Sequence, residues 1–207
     1  DRLLPTRARL QALRLFANQA VAALQTADRA VRLRHEALHD PLTGLPNRRA
    51  FRARLSREAS RTDEDLALIL CDMDNLKRVN DQHGHDAGDR ALKSLADALR
   101  TGLRRSDDAF RIGGDEFAVV LGGASRLDAE RVAHRLQREL AAARAAGEDI
   151  QASFGIAVRE PGEGTDQLVE RADRGIRSAR QLEAYFGLAC AGAASTRSRR
   201  GTAKTWA

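Results

Sequence analysis

The segment Arg111-Ile112-Gly113-Gly114-Asp115-Glu116-Phe117 restricts this chain more than any other. Apolar residues flank it on both sides, Ala109 and Phe110 before and Phe117 to Leu121 after, so it reads as two strands meeting at a Gly-Gly turn. Glycine leaves no side chain over the turn, which lets a ligand come close. Two carboxylates follow at once, and adjacent carboxylates repel unless exposed or given a cation. A second acidic turn lies upstream. Leu66-Ala67-Leu68-Ile69-Leu70-Cys71 is an unbroken apolar run, the pattern of a strand buried on both faces, and it ends in Asp72-Met73-Asp74. Alternation puts Asp72 and Asp74 on one side of the sheet. If this strand pairs with the hairpin, Asp72 and Asp115 converge on a hard divalent metal such as Mg²⁺; otherwise the two are solvated acidic turns.

The charge balance narrows the class of partner. The net charge is +6, but residues 1–39 alone carry seven Arg against three acids, and residues 188–207 carry three Arg and one Lys with no acid. Each extension is therefore at +4, and the 40–187 body is left at −2. The basicity belongs to the extensions, and with aromatics at 4% there is no stacking platform, so nucleic acid is not expected as a partner. No apolar run approaches the roughly 20 residues of a membrane span, so no direct membrane contact is expected. Two separate cysteines, Cys71 and Cys190, make no disulfide framework and fit a cytoplasmic setting. The chain opens on Asp1, as a fragment would.

Taken in order, residues 6–39 read as one long helix. Leu3, Leu10, Ala17, Leu24, Val31 and Leu38 recur every seven residues, with Leu13, Ala20 and Ala27 as companions, so the expected role is a dimerising coiled coil. His39 to Asn47, with two prolines and a glycine, breaks it. Helices are expected over 48–60, 75–81, 89–103, 127–146 and 165–185, with a polar loop at 61–65, a turn at 84–88 and a strand at 150–158. His83 and His85 read as turn residues, since no third ligand completes a zinc set. Residues 188–207 have the composition of a disordered basic tail. The order strand–helix–strand–strand–helix–strand is the ferredoxin-like pattern, an α/β (α+β) fold.

These motifs together resemble the GGDEF domain family of diguanylate cyclases. The resemblance rests on Gly113-Gly114-Asp115-Glu116-Phe117, on Asp40-Pro41-Leu42-Thr43-Gly44-Leu45-Pro46-Asn47-Arg48-Arg49, on Asp72 to Asp81, on Gly84 to Asp89 and on Ser153-Phe154-Gly155-Ile156-Ala157, in order and at the family's spacing. It implies a palm-like antiparallel sheet covered by helices, a catalytic domain at 40–187 and a signalling helix at 1–39. The run Leu15 to Leu24 also resembles the last helix of a GAF sensory domain.

The resemblance implies condensation of two GTP molecules into cyclic di-GMP, dependent on Mg²⁺ or Mn²⁺ at two ions per GTP and carried out by a homodimer. By resemblance Asp72, Asp115 and the Met73 carbonyl hold metal. Glu116 binds metal or helps deprotonate the ribose hydroxyl, and both roles stay open. Asn80 and Asp89 stand at the guanine-reading positions, although both residue types also cap helices. Lys77 and Arg180 are phosphate contacts, and Arg104 and Asp107 form the inhibitory site for the product. The resemblance fails at the end: Arg180 stands where the family has lysine, and the second basic residue expected near Ala184 is missing. Two rival readings remain, an inactive GGDEF domain serving as a cyclic di-GMP receptor and a purely structural linker.

Overall fold

The computed structural model describes residues 7–61, 65–147 and 150–198, with side chains throughout except at 8–10, 12–13 and 182–198. Helices α1 (Arg7–Leu38) and α2 (Arg48–Ala59) precede strand β1 (Leu66–Met73). Helices α3 (Leu76–His83) and α4 (His85–Gly102) lead to the hairpin of β2 (Asp108–Arg111) and β3 (Glu116–Gly122). Helix α5 (Arg126–Ala145), strand β4 (Ala152–Val158) and helix α6 (Thr165–Ser198) complete the order.

The strands form one antiparallel sheet in the order β2-β3-β1-β4. This is the split βαβ arrangement expected from the order of elements, with β1 in the interior. Strand alternation then divides the apolar run of β1 between two cores. Ala67, Ile69, Cys71 and Met73 face Leu92, Leu95 and Leu99 of α4 and Leu136 of α5. Leu66, Leu68 and Leu70 face Phe51 and Leu55 of α2 and Leu168, Ala172 and Ile176 of α6. Every residue from Leu66 to Cys71 is buried, as an uninterrupted apolar run requires.

Helix α6 lies close on the sheet because two glycines meet there. A Cβ on Gly155 of β4 would collide with the Ala172 carbonyl oxygen and the Ile176 nitrogen, and one on Gly175 would sit 3.1 Å from the Gly155 Cα. The start of α6 is fixed by Arg171, which pairs with Glu163 at 2.7 Å and Glu160 at 2.8 Å and donates to the Val158 carbonyl.

The structure differs from the sequence expectation at three boundaries. The turn expected over 84–88 is made by Gly84 alone, at φ 82°, and α4 begins at His85 rather than Asp89. Strand β4 begins at Ala152 rather than Ile150. Helix α6 runs to Ser198, past the end expected at Tyr185 and into the expected tail, because the Ala-rich stretch there favours helix. The rest of the expected tail, residues 199–207, lies outside the described residues, as do Leu3 of the seam and residues 62–64 of the polar loop. Along α1, the seam residues Leu24 and Val31 are exposed at 71% and 67%, so the apolar seam stands uncovered there. No helix among the described residues is long and apolar enough to cross a membrane.

Replacing Gly155 with alanine should force α6 off β4, an overpacking cost of roughly 1–3 kcal/mol. Urea denaturation should show a lower midpoint than the wild type; an unchanged midpoint would mean that α6 shifts freely.

Candidate active site

Three segments meet where β1 ends. The Met73 N–H donates to the Asp115 carbonyl at 2.9 Å, and the Asp74 N–H donates to the Gln151 carbonyl at 2.7 Å. The tip of β1 is thus tied on one side to the Gly-Gly turn and on the other to the residue before β4. Asn75 then turns the chain at φ 61°, the one positive φ among the described non-glycine residues, a conformation asparagine tolerates well. The result is an open cleft of about 600 Å³ lined by Asp72, Asp74, Lys77, Asp115, Gln151 and Arg180, with Met73, Asn75 and Leu76. Its size falls within the roughly 300–1,000 Å³ typical of small-ligand sites.

The electrostatics of the cleft are dominated by carboxylates. Asp72 has its pKa raised by partial burial, with further repulsion from Asp115 and Asp74; the Arg180 hydrogen bond and charge oppose this. Arg180 reaches in from α6, with Nε 3.1 Å and Nη2 3.0 Å from one oxygen of Asp74, and Nη2 pairs with Asp72 as well. Ser153 on β4 donates to Asp74 at 2.9 Å and is itself buried. Glu116 sits opposite Asp72 in the β1–β3 register, exposed, with its side chain folded over Gly113 where a Cβ would collide with it.

Asn80 and Asp89 lie outside the lining of this cleft but adjoin it. Gly88 packs against the Asn80 carboxamide and, at 3.2 Å for a hypothetical Cβ, against Leu76, which does line the cleft. The Asn80 Oδ1 is buried with no hydrogen-bond partner, while the neighbouring Asp89 is exposed.

An acidic strand end, a Gly-Gly-Asp-Glu turn and a cleft between them are the geometry that the motifs lead one to expect. The family described as "Diguanylate cyclase, GGDEF domain" matches residues 37–184. This chain belongs to the GGDEF family. It is similar to the diguanylate cyclase DgcP of Pseudomonas aeruginosa, with 41% identity over 155 residues, covering 72% of this chain and 23% of DgcP. It is also similar to the solved coiled coil and GGDEF domain of DgcB from Caulobacter crescentus, in complex with c-di-GMP (TM-score 0.75, 26% identity, covering 83% of this chain and 94% of that one). A third similarity is to diguanylate cyclase SiaD of P. aeruginosa, solved with its activator SiaC (TM-score 0.66, 33% identity, covering 84% and 70%). The chain spans about a quarter of the length of the curated relatives DgcP and TpbB.

In this GGDEF domain the opening signature is wired to the turn. Arg111 pairs with Asp40 at 2.9 Å and donates to the Gly114 carbonyl at 2.7 Å. Asp40 also accepts from the Thr43 hydroxyl at 2.7 Å. Asn47 caps α2 through the Arg49 and Ala50 N–H groups and donates to the Ala37 carbonyl of α1 at 3.0 Å. A second, smaller pocket of about 220 Å³ contains Arg104 and Asp107. Asp107 accepts from the Arg104 N–H at 3.1 Å, with the Arg135 Nη2 at 3.9 Å, and Arg131 completes the basic wall.

Several of these residues escaped the sequence reading. Asp74 stood on the right side of the strand and could have been added from alternation alone. Gln151 and Ser153 reach the cleft through the β1–β4 pairing, and Arg131 and Arg135 reach the second pocket from α5, so neither pair carries a local signal.

Burial raises the pKa of Asp40, but hydrogen bonds from Thr43 and the ion pair with Arg111 outweigh it, so the carboxyl titrates below its ordinary range. The stability this supplies is complete above the ordinary carboxyl pKa of about 4 and is lost as the pH falls through the depressed value. Asp40→Asn should therefore be less stable than wild type near neutral pH, and the gap should close below about pH 4; urea titrations across that range read it directly.

Proposed function

We propose that this GGDEF domain is a diguanylate cyclase that condenses two GTP molecules into cyclic di-GMP. The observation that carries the reading is the convergence of Asp72 and Asp115 on one open cleft, supported by the similarity to DgcP. In the reaction each 3′-oxygen forms a bond to the α-phosphorus of the other nucleotide, the bond to the β-phosphate breaks, and pyrophosphate leaves with the electron pair.

The donor set suits Mg²⁺ or Mn²⁺. Among the described residues no group of three or more His, Cys, Asp and Glu is arranged to hold a metal. Mg²⁺ is commonly held by one or two carboxylates plus substrate phosphates, which is what Asp72, Asp115 and the Met73 carbonyl would offer to two ions per GTP. Bound ions would neutralise phosphate charge and make the ribose hydroxyl more acidic. Glu116, exposed next to Asp115, would take the hydroxyl proton or add a ligand. Lys77 and Arg180 would contact phosphate. Asn80 would offer its amide to the O6/N7 edge of guanine, and Asp89 its carboxylate to the N1/N2 edge.

One subunit would hold one GTP, so turnover would need two facing copies. The exposed seam of α1, carrying Leu24 and Val31, would pair them as a coiled coil. Arg104 and Asp107, with Arg135 beside them, would bind the product and inhibit. A second reading, a cyclic di-GMP receptor without turnover, draws on the departures near the C-terminus and on the same Arg104 pocket.

Incubation with GTP and Mg²⁺ should yield cyclic di-GMP, measured by chromatography. Asp72→Asn and Asp115→Asn should each lower the rate by a factor of roughly 100 or more with unchanged circular dichroism, since each removes an anionic ligand from the ions that would neutralise the reacting phosphates. No product from the wild type, with intact cyclic di-GMP binding, would select the receptor reading.

Arg104→Ala should raise the concentration of cyclic di-GMP needed for half-inhibition by roughly tenfold, the usual loss for one charge-assisted bond. Unaltered inhibition would place the product elsewhere.

A further inference from the structure

We propose that Arg180 is a tethered cation that competes with divalent metal for Asp72, parked in the cleft by Asp74 and Ser153. The inference rests on the cyclase reading above and adds a gate to it. Three carboxylates, Asp72, Asp74 and Asp115, line one cleft, and like charges gathered there need neutralisation. The guanidinium of Arg180 supplies it, bridging Asp72 and Asp74 with two of its nitrogens. Asp74 is oriented in turn by the buried Ser153 hydroxyl, whose oxygen lies 2.9 and 3.1 Å from its two carboxylate oxygens. The backbone of α6 cannot easily retreat, because Gly155 and Gly175 seat it on β4 only five residues before Arg180. The side chain is another matter. It is 42% exposed and long, so it can swing while its helix stays in place.

The residue type matters. An arginine is always charged and offers several donors in a planar fork, so it can span two carboxylates where the compact lysine ammonium acts as a point charge. A divalent ion arriving alone must displace that fork from Asp72 and leave it without its second partner. An ion arriving with a triphosphate brings anionic oxygens to which the released guanidinium can turn. Arg180 therefore makes metal binding conditional on nucleotide. Asp74 is a positioning residue in this scheme: it acts through Arg180 and holds it within reach of both partners.

The test is Mn²⁺ binding to the nucleotide-free protein, read from the electron paramagnetic resonance signal of free Mn²⁺, with wild type, Arg180→Gln, Arg180→Lys and Asp72→Asn. Arg180→Gln should bind Mn²⁺ about tenfold more tightly than wild type, Arg180→Lys should lie between them, and Asp72→Asn should lose the site. A non-hydrolysable GTP analogue should reverse the order of wild type and Arg180→Gln, with the variant now binding the Mn²⁺–nucleotide complex more weakly. Equal Mn²⁺ affinity in wild type and Arg180→Gln, with the site lost in Asp72→Asn, would overturn the competition and leave the metal reading intact. No Mn²⁺ binding to any variant, with or without the analogue, would overturn both.

Discussion

The structure is organised by a conflict at the end of one strand. β1 is buried on both faces and paired on both edges, so its course is over-determined, and it delivers Asp72 and Asp74 to a position where Asp115 already stands. A free loop would separate these carboxylates. Here the ladder bonds from Met73 to Asp115 and from Asp74 to Gln151 keep the tip in place. Repulsion is therefore a permanent property of the fold, and it creates the demand for a cation that a metal, a phosphate-binding side chain or Arg180 must meet. Functional sites commonly carry such stored strain, held by the stability of the surrounding core.

The remaining elements can be understood as supports for that tip. The Gly-Gly turn approaches because Gly113 leaves room for the Glu116 side chain to fold back. The turn is itself held by Arg111, whose partner Asp40 belongs to the loop that ends α1. Asn47 then joins the two helices on either side of that loop, capping one and bonding the last turn of the other. Helix α1 is thus connected to the turn by a short series of hydrogen bonds, although its own apolar stripe is exposed and makes no part of the core.

The acidic turns, the buried central strand and the helix-strand order were legible in the sequence because each has a local cause. Leu66 to Cys71 has the pattern of a strand buried on both sides, and Gly113-Gly114 between two apolar runs marks a turn. The pairing between Arg180 and Asp72, 108 positions apart, has no such local cause. Sequence placed Arg180 near phosphate by resemblance, while its attachment to Asp74 depends on how closely α6 can lie on β4. Gly155 and Gly175 decide that distance, and nothing in either glycine's own neighbourhood announces the other. The early start of α4 was missed for a simpler reason: one glycine with positive φ suffices for a turn that the composition of residues 84–88 had spread over five.

The sheet order has a consequence for how this chain comes into being. β1 is made early, yet both strands that flank it, β3 and β4, are synthesised later, and the last helix that covers one of its faces is later still. Until β3 and β4 emerge, a nascent chain holds Leu-Ala-Leu-Ile-Leu-Cys with two open edges and faces only partly covered by α2 and α4, a composition that readily adds to another strand of its own kind. Pairings this distant along the chain close slowly. The same burial that makes the finished strand so rigid a carrier for its carboxylates makes the unfinished one dependent on protection, and places the hazard of aggregation during translation, before the cleft exists at all.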